Sequence, residues 1–251
     1  MLELLRKSCG PLLASLLIAA PVLAETKVVK LTSLDWPPYT GAKLTEQGAS
    51  VAVAKAAFKA MGYELKVEFY PWSRAVQLAK SDPGYAGYFP EYDSPEVRKD
   101  FHLSDPMGSG PLGLAQRVDA PYTWSSIADL ASKKVGVVQD YVNTTEFDAR
   151  VAAKQQRVDV AMDDGKNLQK LGNGRIDLAV VDANVFRYLL QTQPDLKPFA
   201  GKLAMNAKLL EDKKLFVCFK KDAEGQRIAK IFNEGLKKID VKAIMDKRLG
   251  G

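Results

Sequence analysis

The sequence predicts an α/β protein of two lobes joined by a breaker-rich crossing, and three observations lead to this reading. Short apolar strands alternate with helices along most of the chain, the order that builds largely parallel sheets covered by helices. A breaker-rich stretch, Pro106-Met-Gly-Ser-Gly-Pro111, separates a first series of such elements from a second. The 251 residues, 47% hydrophobic and 26% charged, suffice for two lobes of roughly 100 residues with separate cores.

Residues 1–24 stand apart. Arg6 and Lys7 open the segment, an apolar run follows from Pro11 to Leu23, and Val22-Leu23-Ala24 ends it with the small residues a signal peptidase reads. The run, about 13 residues, is short of the roughly 20 needed to span a bilayer. A signal peptide cleaved after Ala24 is therefore expected, with export to the periplasm. Cleavage removes Cys9 and leaves Cys218 alone, so no disulfide is expected within the mature chain. Cys218 sits in an apolar run at 214–220 and reads as a small buried hydrophobe.

In the mature chain a β-prone run at 27–31 leads into Asp35-Trp36-Pro37-Pro38-Tyr39, a loop by its prolines. Residues 47–61 are Ala-rich with apolar positions at helical spacing, and Gly62 is a stop. Tyr63, Leu65, Val67 and Phe69 alternate with charged residues, which predicts a strand with one wet face. A short helix at 74–80, a turn at Asp82-Pro83-Gly84 and a short strand at 85–89 complete the first series. Beyond the breakers, Ser125 and Ser126 cap a short helix ending near Lys133, and 134–138 reads as a buried strand. Thr145-Glu-Phe-Asp148 fits a capping box that opens a helix. Strand 158–162, helix 166–171, the turn Gly172-Asn-Gly174, strand 176–181 and helix 183–191 follow. Strand 215–219, a helix with Ile228, Ile231, Phe232 and Leu236 on one face, and a last short helix near Leu249 end the chain.

Charge and composition narrow the function. Lys plus Arg number 36 against 30 acids, a net charge of +6 that is scattered, with no basic block, so no nucleic-acid partner is expected. One His and two Cys exclude a zinc site built from Cys/His clusters, and His102 reads as structural. No metal or cofactor is expected.

Four segments, in order, resemble the bacterial extracellular solute-binding protein family 3, the polar amino-acid-binding type of periplasmic protein that serves ABC importers. They are Trp36-Pro37-Pro38-Tyr39; Ser94-Pro-Glu-Val-Arg-Lys-Asp-Phe-His-Leu-Ser-Asp-Pro106; Ile127-Ala-Asp-Leu-Ala-Ser-Lys-Lys-Val-Gly-Val-Val-Gln139; and Leu171-Gly-Asn-Gly-Arg-Ile-Asp-Leu-Ala-Val-Val-Asp182. The resemblance implies a periplasmic-binding-protein-like (type II) fold, two lobes joined by two hinge crossings, that closes on its ligand by hinge bending. Lobe 1 is expected at 25–110 and again at 212–251, with lobe 2 at 111–211. It also implies a small polar solute, an ABC importer permease as partner, and a monomer that binds rather than catalyses.

Candidate ligand-binding residues follow from chemistry and from this likeness. Asp182 ends an apolar strand, where α/β lobes deliver ligand contacts. Its family counterpart pairs with the ligand's ammonium, and N-capping the helix from Ala183 is its competing role. Trp36, Tyr39 and Trp72 lie beside prolines in expected loops, where flat aromatic walls can sandwich a ligand. Arg74 could clamp an anion or be a solvated surface Arg. Asn143 and Thr144 precede a helix whose N–H groups suit a carboxylate, although plain capping competes. The family's carboxylate-gripping Arg corresponds to Val97 here. Arg98 comes one residue later and, turned by about 100° on a helix, should point elsewhere. The solute is therefore expected to differ from a standard α-amino acid. Two other readings stand beside this one. One is an enzyme similar to cyclohexadienyl dehydratases, with Glu91 or Asp93 as the acid/base group. The other is a periplasmic sensor that does not transport.

Overall fold

The computed structural model describes residues 27–250, so the signal peptide expected at 1–24 lies outside the described residues. The first half opens with β1 (Lys27–Ser33), α1 (Ala49–Ala60), β2 (Tyr63–Phe69) and α2 (Trp72–Ser81). It continues through β3 (Gly87–Glu91), α3 (Pro95–Asp100) and β4 (Phe101–Leu103). β5 (Gly108–Arg117) leads into β6 (Lys134–Val138), α4 (Thr145–Ala152), β7 (Arg157–Ala161) and α5 (Asp164–Gly172). β8 (Leu178–Asp182), α6 (Ala183–Thr192) and β9 (Leu203–Met205) complete the second half. β10 (Glu211–Lys220) returns to the first half, followed by α7 (Ala223–Leu236) and α8 (Val241–Leu249).

The strands follow the order β2-β1-β3-β10-β5-β8-β6-β7, with β4 on β10 and β9 on β5. β1 is parallel to β2 and β3, and β6 is parallel to β7 and β8. The middle of the order is antiparallel: β10 pairs antiparallel with β3, β4 and β5, and β5 with β8 and β9. β10 changes partner along its length. Glu211 to Leu215 face Leu112 to Gly108 of β5, while Phe216 to Lys220 pair with β3 and β4. The two halves are thus tied by one pair of antiparallel strands.

Both halves bury apolar side chains, and these join in one cluster rather than in separate cores. In the first, α1 buries Val51, Val53, Ala57 and Phe58, and the Phe58 and Phe232 rings lie 5.1 Å apart, with Phe219 beside them. In the second, Leu168 and Leu171 of α5, Leu178 and Val180 of β8, and Phe147 of α4 are all buried. A fully buried aliphatic or aromatic side chain contributes about 1.5–3 kcal/mol. Cys218 is free and buried in the first half, as its sequence context predicts. His102 pairs with Phe219 across β4 and β10, a structural position.

The stretch 106–111 is extended from Gly108 onward: β5 runs through Pro111, which faces β10, and pairing with β8 begins at Leu112. Two local expectations need correction. Trp72 does not sit in a loop: it opens α2, with Pro71 as the N-cap. The cap of α4 is Thr144 rather than Thr145, since the Thr144 hydroxyl accepts from the Phe147 N–H.

Candidate functional site

The loop after β1 is held from below. The first N–H groups of α1 donate to its carbonyls, Ala49 to Pro38 and Ser50 to Tyr39, at 3.0 and 2.8 Å. Helix N-termini carry such unpaired donors, and here they fix the loop. Thr40 adds a hydroxyl bond of 2.8 Å to the Leu34 carbonyl. Trp36 and Tyr39 then stack at 4.6 Å and are buried.

Across the seam, Asp182 ends β8 and caps α6, accepting from the N–H groups of Asn184 and Val185 at 2.7 and 3.2 Å. The Tyr39 hydroxyl reaches it from the other half, donating at 3.1 Å, and itself accepts from the Asn184 amide at 2.8 Å. Asp182 therefore both caps α6 and accepts a bond from the other half. A second bridge lies at α2, where the Trp72 indole N–H donates to the Asp140 carbonyl at 3.0 Å and the Ser73 hydroxyl donates to the Asp140 carboxylate. Trp72 also packs edge-on against Tyr141 at 5.8 Å.

Two cavities lie in this seam. One, of about 30 Å³, is lined by Trp36, Trp72, Glu91, Tyr92 and Tyr141 among others. The second, of about 10 Å³, lies against Trp36, Tyr92, Tyr141, Asn143, Asp164 and Asp182. Trp36, Tyr92, Tyr141 and Val142 border both. Spaces this small suit single waters, so a solute needs the halves to part. Outside, a groove of about 470 Å³ runs from Ser94 and Glu96 over Tyr141 and Val142 to Asp148.

The electrostatics are those of buried acids. Burial pushes Glu91 up to about 8, against hydrogen bonds from the Tyr92 N–H and Tyr88 hydroxyl and the pull of Lys213. Burial and the neighbouring Asp182 and Asp163 push Asp164 up to about 7, against hydrogen bonds from Trp36 and Tyr141. Asp182 is pushed to about 6 by burial, with its capping N–H groups, Tyr39 and Arg187 opposing. The Tyr39, Tyr92 and Tyr141 hydroxyls are all driven upward by burial and these carboxylates, so they remain protonated donors.

Of the residues chosen from sequence, Trp36, Tyr39, Trp72, Asn143 and Asp182 meet at the seam. Thr144 is buried beside them as a cap. Asn143 lines the smaller cavity, but its backbone N–H and amide both donate to Asp148 at 2.8 Å. Arg74 is exposed, its guanidinium over the Tyr70 ring at 5.7 Å, and borders neither cavity. Val97 packs against the core. Arg98 points to solvent and grips Asp93 through two bonds of 2.6 Å, as its offset along α3 predicts. Sequence reasoning weighed Glu91 only as a catalytic acid and passed over Asp164, Tyr92, Tyr141 and Lys213. The one available signal for Glu91 was its place at the end of a short strand, the same cue that marks Asp182. Among the described residues no group of His, Cys, Asp or Glu side chains is arranged to hold a metal ion, and no helix is long and apolar enough to cross a membrane.

No family model matches the chain, and no curated protein matches it in sequence. Solved structures do. A histidine kinase sensor domain with similarity to periplasmic binding proteins superposes with a TM-score of 0.74 at 21% identity, covering 90% of this chain and 96% of that one. An amino-acid ABC transporter substrate-binding protein from Streptococcus pneumoniae, bound to L-arginine, gives 0.69 at 20% identity over 89% and 93%. The GluR0 ligand-binding core from Nostoc punctiforme, in complex with L-glutamate, gives 0.69 at 17% over 88% and 98%. These likenesses show the fold: a two-lobed α/β domain of the periplasmic-binding-protein type.

Proposed function

We propose that this protein captures a small polar solute between its two halves by hinge closure and delivers it to an ABC importer in the periplasm. The observation that carries this reading is the Tyr39–Asp182 hydrogen bond, a buried link at a strand end between groups from opposite halves. Ligands of α/β domains sit at such edges, and a closure that buries a carboxylate asks for a partner there. The moving bodies of this proposal are 25–110 with 212–251, and 111–211, turning about the crossing strands β5 and β10. Trp36 and Trp72 form walls, Tyr39 and Asp182 hold a donor of the solute, and Arg74 takes no part. The dehydratase-like reading asks for cations to hold a substrate with two carboxylates. Lys213 is the one buried cation among the described residues, set against three buried acids, which speaks against that reading.

The test is a thermal-shift screen of solutes followed by titration of Asp182→Ala. The standard amino acids are expected to stabilise little, because Val97 stands where a guanidinium would grip the carboxylate. A solute that does bind is expected to lose at least about tenfold in affinity in Asp182→Ala, the size of a lost charge-assisted bond. Unchanged affinity removes Asp182 from the site, and a shift of several degrees with a standard amino acid removes the argument from Val97. Uptake of that solute by cells should fail on deletion of the gene; intact uptake would turn the reading to sensing.

A further inference from the structure

We infer that the solute is a small organic dication without a carboxylate, of the linear diamine class, with one ammonium at Glu91 and the other between Asp164 and Asp182. This inference rests on the solute-binding reading and names the class of solute for that same site.

Charge balance is the first argument. Among the described residues the buried charged side chains are Glu91, Asp164, Asp182 and Lys213. The three acids line the two cavities, and the Lys213 ammonium lies 5.3 Å from the centre of the Tyr92 ring that borders both. With all three ionised, three carboxylates against one ammonium would leave an excess of two negative charges in a closed interior. Buried charge must be neutralised by a proton or a partner. A dication supplies two positive charges at once.

Placement is the second. Glu91 borders the larger cavity, Asp164 and Asp182 the smaller, and the rings of Trp36, Tyr92 and Tyr141 are shared between them. Aromatic faces attract ammonium groups and cover a methylene chain. The acids do not gather as metal ligands would, which favours an organic ion with separated charges. The outer groove adds Glu96 and Asp148 along the approach.

The third is an orphaned atom. Tyr92 is 6% exposed, and its hydroxyl is buried with no hydrogen-bond partner. Buried polar atoms in folded proteins are paired with few exceptions. A phenol oxygen beside Asp164 and Asp182 is placed to accept from a ligand ammonium. Among the charged side chains of the site a carboxylate on the solute finds no comparable reception. Val97 is apolar, Arg98 is held by Asp93, and Lys213 is already engaged by Glu211 at 3.4 Å and faces Glu91 and Asp148.

The experiment is isothermal titration calorimetry of the purified protein with 1,4-diaminobutane, 1,5-diaminopentane, pentylamine and L-lysine. L-Lysine differs from 1,5-diaminopentane by its carboxylate alone, and pentylamine lacks one ammonium. One of the diamines is expected to bind at least about a hundredfold more tightly than L-lysine and tenfold more tightly than pentylamine. Glu91→Gln and Asp164→Asn, each near the wild-type melting temperature, should weaken it at least about tenfold. The inference is overturned if L-lysine binds as tightly as the diamines, or if the diamines bind equally well to both variants. If neutral or anionic solutes bind and the diamines do not, this inference fails while solute capture stands. Silence with every solute of every charge overturns both.

Discussion

Two glycines in neighbouring parts of the sheet show how differently the interior of the first half and the seam are built. A Cβ on Gly87, in β3, would lie 2.0 Å from the Cys218 carbonyl oxygen of β10. That neighbour is backbone in the middle of a sheet and cannot move aside. A Cβ on Gly110, in β5, would lie 2.2 Å from an Asp182 carboxylate oxygen and 2.4 Å from the Tyr39 hydroxyl. Those atoms are side chains belonging to opposite halves, and the proposed parting of the halves would separate them. Around Gly87 the packing is apolar, with Phe58, Phe219 and Phe232 close by. Around Gly110 it is acid and phenol. The interior of each half is assembled for stability, whereas the seam holds groups that cost free energy to bury without a partner.

Alanine at each glycine should break this contrast apart. Gly87→Ala is expected to cost about 3 kcal/mol or more through overpacking, a fall in melting temperature of roughly 6–12 °C for a chain of this size. Gly110→Ala should fall by no more than about half as much, since opening relieves the clash. It should nevertheless lose solute binding, because the Tyr39–Asp182 bond cannot form. Thermal melts and calorimetry on both variants check this; equal melting temperatures, or binding retained in Gly110→Ala, would erase the distinction.

Much of the fold is legible in the sequence because each element carries its own local signal. The alternation at Tyr63, Leu65, Val67 and Phe69, and the helical stripe of Ile228, Phe232 and Leu236, correspond to β2 and α7. β5 escapes the same reading for a physical reason. Its glycines at 110 and 113 permit close approach of Asp182, Met205 and Leu209, so the residues that look like breakers are those that let the strand pass. In the site, Asp182 is visible because an apolar strand precedes it. Asp164 is not, since Asp163-Asp164-Gly165 has the composition of a solvated turn. It is buried and borders the smaller cavity together with Trp36 and Tyr141, which lie far from it in sequence.

The acids of the seam give the contrast a pH dependence. With the two halves together, Glu91 is raised from 4.5 to about 8, Asp164 from 3.8 to about 7 and Asp182 from 3.8 to about 6. Groups raised on folding favour the folded form most below their unfolded values, and that support is lost as pH rises through the folded values. Stability of the ligand-free protein should therefore decline between about pH 4 and about pH 8. A Glu91→Gln, Asp164→Asn double variant should flatten the decline, as melts across that range will read. An equally steep decline in the double variant would place the titration elsewhere.

The smallest effect belongs to Tyr92→Phe, which deletes a hydroxyl that has no partner. Melting temperature should hold or rise by about a degree, because an unpaired buried polar atom is a cost. Affinity for the solute should fall by roughly threefold, on the low side of a single hydrogen bond. A clear loss of stability would mean that the hydroxyl is satisfied in the protein itself.

Small-angle X-ray scattering during titration with 1,5-diaminopentane tests the central claim most directly. The account predicts that the radius of gyration contracts as solute is added to the wild type and stays constant for Gly110→Ala. A wild-type profile unmoved by this and every other solute, at concentrations that saturate the screen, would contradict it.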